Sequence, residues 1–310
     1  MNIKCSTCKT RKAVTRLHYS GRDLCKNCFK KLFYSRAWKA NRVHKFLRRG
    51  DKIIVAVSGG KDSAATLHVL KKMSEKIGKI KLVPVLIDEG IKGYRDKAIT
   101  QAKKLCKKEG LKLTVVSFKK IYGASLDQML HLRKKKTGSC SLCGVFRKHA
   151  LNKTAVKLKA NKVATGHNAD DIAQTLLMNI MRKDPQGIAR FGPTSGMIEN
   201  GFVPRIKPLI YNLEKECALY CLLSDLPIHL SQCPNSHESI RGEIRDFLNT
   251  QEEKRPGTKF NLVQSCIELQ KTALKKNTKT KTGKCTACNS NSSTKTCKAC
   301  QYLKQLRLAK

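Results

Sequence analysis

The chain has 310 residues, with 64 lysines and arginines against 22 acids, so its formal charge is +42. An apolar share of 40% excludes a disordered chain, and an aromatic share of 5% leaves little for a broad base-stacking platform. So large an imbalance is tolerated in a compact state when a polyanion shares the surface, nucleic acid first and an anionic membrane second. The longest apolar run, Cys217–Leu223, is far short of the ~20 residues of a spanning helix. Met1–Cys5 opens on no apolar segment, so no secretory signal is expected there. The fifteen cysteines are therefore expected in a reducing compartment, as metal ligands or catalysts rather than disulfides.

Ten of these cysteines fall into C-x-x-C pairs. At the start, Cys5/Cys8 and Cys25/Cys28 form C-x2-C-x16-C-x2-C, the spacing of a zinc ribbon, in which each pair presents two thiolates to one ion. Residues 1–30 are read as this module, with structural zinc. Residues 31–50 carry basic residues at helical spacing up to Gly50 and read as a basic connecting helix.

Residues 51–240 alternate strand-like and helix-like stretches, the pattern of an α/β domain on a parallel sheet. Ile53–Val57 is the continuous apolar run of a strand buried on both faces. It leads into Ser58-Gly59-Gly60-Lys61-Asp62-Ser63, and apolar residues from Ala64 to Ile77 follow with helical period. Strand, glycine turn and helix N-terminus make an anion site, to which Lys61 adds a point charge and Ser58 and Ser63 add donors. The spacing is not Walker A. It reads as the pyrophosphate (PP) loop of enzymes that adenylate a carbonyl or carboxyl oxygen.

Further strands are expected at Lys81–Ile87, Leu113–Phe118 and Lys162–Thr165, the last two following helices Asp96–Lys108 and Arg147–Lys159. Ligands in such sheets sit beyond the carboxyl ends of the strands. Ser58–Ser63, Asp88 and Gly166–Asp171 are therefore expected around one pocket, with carboxylates suited to Mg2+. The alternative role for Asp170/Asp171 is to cap the helix Ile172–Met178, which can coexist with catalysis, and His167 could simply pack beneath the nucleotide. The mid-chain pair Cys140/Cys143 is ambiguous by spacing: redox pair, half a metal site or two incidental thiols.

Residues 241–310 read as a helical region, Glu243–Gln251 and Val263–Lys276 separated by Arg255-Pro256-Gly257, then a polar linker Lys275–Lys284. A second zinc module, Cys285/Cys288 and Cys297/Cys300, has the tighter spacing C-x2-C-x8-C-x2-C. The positive charge is clustered. Residues 131–160 hold nine basic residues and no acid, residues 271–310 hold eleven and no acid, and Arg36, Arg42, Lys45, Arg48 and Arg49 make a third stripe. Such contacts position RNA without reading its sequence.

Ser58–Ser63, Ile87–Ile91 with Gly93–Asp96, Cys140–Val145, and Thr165–Asp171 with Thr175–Asn179 resemble the cytoplasmic tRNA 2-thiolation protein 1 family, the wobble-uridine branch of the two-thiouridine synthetases. The resemblance runs from the first zinc pair to the second. It implies a cytoplasmic, ATP-dependent tRNA-uridine 2-sulfurtransferase that adenylates the C2 oxygen of uridine 34 and replaces it with sulfur. Thiolation at the T-loop uridine 54, or a non-catalytic zinc-ribbon tRNA-binding protein, are the competing readings. By resemblance, ATP is bound by Ala56, Val57, Ser58, Gly59, Gly60, Lys61, Asp62, Ser63, Ile87, Gly166 and Asp171. Arg147, where T-loop relatives carry lysine, supplies a phosphate contact. Cys140, Cys143 and Cys233 correspond to three ligands of a [4Fe–4S] cluster whose open iron would bind the transferred sulfur; a persulfide-forming thiol pair is the alternative. Asp171 orients the metal or the uridine. The implied partners are lysine, glutamate and glutamine tRNAs, a thiocarboxylated ubiquitin-like sulfur carrier, and a second subunit or a homodimer. Cys106, Cys217, Cys221 and Cys266 have no assigned role.

Overall fold

The computed structural model describes residues 3–133, 137–195, 202–236, 241–276 and 283–308. A short hairpin, β1 (Thr15–Leu17) antiparallel to β2 (Arg22–Leu24), leads directly into α1 (Lys26–His44). Cys25 is the N-cap of α1 and Cys28 lies in its first turn. A C-x-x-C pair at a helix start puts both sulfurs at the end whose dipole favours negative charge. The helix thus begins at Lys26 rather than Lys31. It is also no mere connector, because Phe29, Phe33, Ala37 and Ala40 recur at helical spacing and are all buried. Phe33 stacks on Tyr220 with ring centroids 4.1 Å apart.

One sheet is built from β3 (Lys52–Ala56), β4 (Lys81–Asp88), β5 (Thr114–Ser117), β6 (Lys162–Ala164), β7 (Thr194–Ser195) and β8 (Arg205–Ile206). Its order is β5-β4-β3-β6-β8-β7, parallel except for β7. Around it lie α2 (Lys61–Ile77), α3 (Arg95–Lys108), α4 (Phe118–Tyr122), α5 (Leu126–Leu132), α6 (Ser139–Lys157), α7 (Ala169–Met181), α8 (Pro185–Arg190), α9 (Glu214–Leu223), α10 (Arg241–Lys254) and α11 (Thr258–Lys276). The hairpin β9 (Gly283–Lys284) with β10 (Asn291–Ser292), then α12 (Lys298–Gln305), closes the second cysteine module on the same plan, with Cys297 as N-cap.

The continuous apolar run of β3 has a plain cause: both faces of the strand are covered. Ile53, Val55 and Val57 enter one core with α2, α3, α9 and the N-terminal module. Ile54 enters a second core with α4, α5, α6 and the C-terminal module. The two cysteine modules therefore back opposite faces of the sheet. The module at 285–306 is not an appendage, since Cys285, Cys297, Ala299 and Leu306 are buried with Leu142 and Phe146 of α6. Cys106, Cys217, Cys221 and Cys266 are all buried in the first core, where a thiol behaves as a small apolar group.

The chain leaves β3 for β4 on one side and joins β6 on the other, so the strand order reverses beside β3. A crevice opens at such a switch point, at the carboxyl ends of the strands. Among the described residues no helix is long and apolar enough to cross a membrane.

Candidate active site

The loop after β3 is held open by its own side chains. Ser63 Oγ receives the Ser58 N–H at 3.0 Å and donates to the Gly60 carbonyl at 2.9 Å. Gly60 is the N-cap of α2 and no side chain caps the helix, which leaves first-turn N–H groups facing the crevice. Two glycines are required by close approach. Gly59 has φ +89°, and a Cβ there would lie 2.4 Å from the Ala98 carbonyl oxygen. A Cβ on Gly166 would meet the Asp62 carbonyl carbon at 2.9 Å, so the loop after β6 must pass directly over the start of α2.

Lys61 is not an idle cation. Its Nζ lies 2.8 Å from Glu214 Oε1 and 3.0 Å from Asp62 Oδ2. Burial alone would lower its pKa, but these two carboxylates outweigh it and hold the ammonium charged. Asp62 is raised by burial, against Lys61 and Asn168, and its Oδ1 accepts from Asn168 Nδ2 at 3.0 Å. That bond ties the phosphate loop to the Gly166–Asp171 loop.

The paired aspartates divide their work. Asn168, not an aspartate, is the N-cap of α7, and Asp171 completes the capping box by accepting from the Asn168 N–H. Asp170 is buried, paired with Lys259 of α11, and receives the Glu214 N–H at 2.7 Å. Asp171 faces the crevice with Arg241 Nη1 at 3.5 Å from its Oδ1. Burial pushes its pKa up to about 6, opposed by Arg241. Asp88 closes the turn after β4 by accepting from the Gly90 N–H. His167 is driven down to about 3 by burial and by Lys207 and Arg241 nearby, so it is neutral; its Nδ1 pairs with the Thr165 hydroxyl at 2.8 Å. The side chains of Val57 and Ile87 are buried in the cores, which leaves their backbone to the crevice.

Cys140 and Cys143 ride on the first turns of α6, which starts at Ser139 rather than near Arg147. The Cys140 thiol donates to the Asn235 carbonyl at 3.6 Å, which brings the Cys233–Pro234–Asn235 segment to this helix. Cys143 is pushed up to about 12 by burial, against the Arg147 charge, and Cys233 is also raised by burial. Among the described residues, two four-cysteine sets gather their sulfurs within 4.8 Å, those of the terminal modules; the central three do not form such a nest. The terminal sets fit one tetrahedral ion. Cys8–Cys25 and Cys288–Cys297 sulfurs are 3.8 and 3.7 Å apart, close to the ~3.8 Å edge of a tetrahedron with ~2.3 Å metal–sulfur bonds. Three thiols brought together by α6 and the Cys233 segment are the donor type that an iron–sulfur cluster uses.

Phosphate loop and cysteines meet through a residue the sequence motifs contain without explaining. Glu89 is wholly buried, with Arg95 Nη2 at 2.5 Å and Arg147 Nε at 3.0 Å from its carboxylate. Arg95 also donates to the Ser58 carbonyl at 3.0 Å, and the His229 N–H donates to the Gly59 carbonyl at 2.8 Å, four residues before Cys233. Arg147, expected to contact phosphate, is thus tied first to Glu89 and lies one helical turn beyond Cys143. Glu214, Arg241 and Lys259 also belong to the site and carry no motif that would have marked them.

Of the basic patches, Lys134–Lys136 and Lys279, Lys281 and Lys310 lie outside the described residues, as does most of the Lys275–Lys284 tract. Lys148, Lys153, Lys157 and Lys159 are exposed, as are Lys284, Lys295, Lys298, Lys304 and Arg307. Arg36 leaves the third stripe: its Nη1 lies 2.7 Å from the buried Glu216, which also accepts from Tyr19 OH at 2.6 Å, locking the N-terminal module onto α9.

A strand, an uncapped helix start and a glycine loop at a sheet switch point define a PP-loop nucleotide-binding domain, and residues 34–251 match the family described as PP-loop domain. Residues 4–30 match the N-terminal LIM domain of the 2-thiouridine synthetase TtuA. The chain belongs to the cytoplasmic tRNA 2-thiolation protein 1 family. It is 37% identical to the Xenopus laevis protein of that name over 99% of this chain and 89% of the relative, and 35% identical to the Saccharomyces cerevisiae protein over 97% and 86%. It is also similar to the solved U34-tRNA thiolase NcsA from Methanococcus maripaludis with its [4Fe-4S] cluster, at 32% identity and a TM-score of 0.84, covering 99% of this chain and 97% of that one.

Proposed function

We propose that this chain is an ATP-dependent tRNA sulfurtransferase that converts C2 of the wobble uridine 34 to the thiocarbonyl. The observation that carries the reading is the convergence of an open phosphate loop with the three central cysteines, linked through Arg95, Glu89 and Arg147. Oxygen at C2 is a poor leaving group, so it must be activated. The loop Ala56–Ser63, with Gly166 and the backbone at Ile87, would seat ATP so that the uridine oxygen attacks its α-phosphorus and pyrophosphate departs. A sulfur nucleophile then adds at C2, and the original oxygen leaves with AMP. Lys61 is placed to exchange its carboxylate partners for the phosphates and stabilise the departing pyrophosphate. Asp62 and Asp171 are the carboxylates available for Mg2+.

Cys140, Cys143 and Cys233 would hold a [4Fe–4S] cluster, which when bound supplies an iron with an open position for the sulfur to be transferred. The burial that keeps Cys143 protonated without a ligand is offset by metal ligation, as for any thiolate ligand. The two outer four-cysteine sets are assigned to structural zinc, for which an all-thiolate tetrahedron is the usual donor set. Lysine, glutamate and glutamine tRNAs, a thiocarboxylated ubiquitin-like sulfur carrier and a second subunit are the partners that family membership supports.

The deciding experiment is mass spectrometry of tRNA nucleosides after loss of this protein: wobble 2-thiouridine should vanish, and its persistence would overturn the reading. Binding of tRNA should also weaken steeply with salt, because each neutralised phosphate releases counterions. A binding constant unchanged between low and moderate salt would remove the electrostatic part of the proposal.

Asp171 adds a pH signature. Its carboxyl must be ionised to hold a cation or orient the uridine, so kcat/KM for thiolation, which reports the free protein, should rise through about pH 6 and level off above it. Stability runs the other way. The folded pKa is raised above the ordinary 3.8, so this group's contribution is full below that value and is lost as pH rises through about 6. Asp171→Asn should abolish the rise in rate; an unchanged profile in that variant would assign the titration elsewhere.

A further inference from the structure

We propose that the outer face of α1 is a second RNA-docking site, remote from the reaction centre, where a nucleotide of the bound tRNA stacks on Trp38 while Lys39, Arg42 and Lys76 hold its phosphates. The inference rests on the tRNA-thiolation reading and adds to it a second point of contact.

The face is a cavity of about 330 Å³ lined by Tyr34, Ser35, Trp38, Lys39, Arg42 and Lys76. Tyr34 and Trp38 are four residues apart, so they share one side of the helix, with centroids 6.1 Å apart and planes inclined by 28°. They lie on the flank of α1 next to the side that buries Phe29, Phe33, Ala37 and Ala40, so both pack partly against that core and remain partly exposed. Trp38 is the one tryptophan of a chain poor in aromatics. Lys76 Nζ stands 5.3 Å from the Tyr34 ring centre and 5.9 Å from that of Trp38. A cation held only by ring faces at a solvent-open site is readily drawn off by phosphate.

The lining chemistry selects the occupant. It offers three cations, two stacked rings and no acid; the adjacent Glu75 is engaged by Lys71 at 3.0 Å. A second copy of this chain would bring its own positive charge to the face and be repelled. Bases joined by phosphates complement rings flanked by cations, the combination that single-stranded nucleic-acid sites use. The reacting uridine cannot be the ligand here. Lys76 lies at the far end of α2 from Lys61, and fifteen residues of α-helix span ~22 Å. The site therefore grips another part of the same RNA.

Because Trp38 is the sole tryptophan, its emission reads the site directly in the full-length protein. Titration with tRNA should quench it and shield it from acrylamide. Replacing Lys39, Arg42 and Lys76 by alanine should weaken tRNA binding roughly tenfold and flatten its salt dependence by about 0.7 to 0.9 per lost phosphate contact. It should raise KM for tRNA and leave kcat unchanged. Trp38→Phe should keep most of the affinity and the wild-type melting temperature, while Trp38→Ala should lose the affinity together with some stability from its lost packing on the core. If tRNA binds by mobility shift while Trp38 emission and acrylamide quenching stay unchanged, the site is overturned and the thiolation reading stands. A response to an acidic protein but not to tRNA would overturn it as well. If tRNA does not bind at all, the thiolation reading fails first.

Discussion

Replacing any one of Cys140, Cys143 or Cys233 by serine is expected to cost roughly 10³-fold or more in 2-thiouridine formation, the scale on which loss of an indispensable ligand or nucleophile is felt. The three losses should be equal, because a cluster held at three corners fails when any corner goes. ATP binding should survive in all three variants, since the phosphate loop draws none of its donors from these thiols. Anaerobically prepared protein should show the broad visible absorption of an iron–sulfur centre, and each variant should lose it. A thiol-pair mechanism makes a different forecast: two cysteines indispensable and the third dispensable. One serine variant retaining activity within threefold of the parent would therefore replace the cluster with the persulfide route. Their positions make the comparison clean. Cys140 is exposed and Cys143 and Cys233 are half-buried, so serine at each leaves little cavity behind.

The second large effect belongs to Glu89. Glu89→Ala should lower stability by about 3–5 kcal/mol, the cost of stranding a buried charge whose partner has been removed. The stranded group is Arg95, which is buried; Arg147 is half-exposed and can recover solvent. Glu89→Gln keeps the shape and removes the charge, so it separates folding from function. Its melting temperature should fall less than that of the alanine variant. Thiolation should nonetheless fall, because Arg95 and Arg147 lose the common anion that joins the Ser58 loop to the cysteine helix. Chemical denaturation with parallel nucleoside analysis checks both. An alanine variant within 1 kcal/mol of the parent would show that water or a rearranged side chain replaces Glu89 at no cost.

Much of this arrangement is legible in the residues alone. The run Ile53–Val57, the glycine loop and the periodic stretch after it identify β3 and α2, because a buried parallel strand and an amphipathic helix have distinct local periods. The paired cysteines identify both modules, since C-x-x-C is itself a local geometry. The start of α6 is hidden, and the reason is physical. Ser139–Gly144 consists mostly of weak helix formers, including Gly144, and this turn is stabilised by packing on β4 and the C-terminal module rather than by propensity. Partnerships across the chain are hidden in the same way. Nothing near Arg36 announces Glu216, and nothing near Asp170 announces Lys259. Those pairs decided which charges face RNA and which of two adjacent aspartates faces the crevice.

The packing of residues 285–306 against α6 has a consequence in time. During synthesis the cysteine helix leaves the ribosome roughly ten seconds or more before the segment that covers its apolar side, at ~5–20 residues per second. Phe146 already has Phe118 and Tyr122 of α4 to pack on, but the flank of α6 that faces Tyr302, Cys285 and Cys297 stays open for that interval. Only when the last cysteine pair joins the second module does that side gain its permanent backing. A chain interrupted before Cys297 would carry a complete phosphate loop and a cysteine helix that lacks its C-terminal backing.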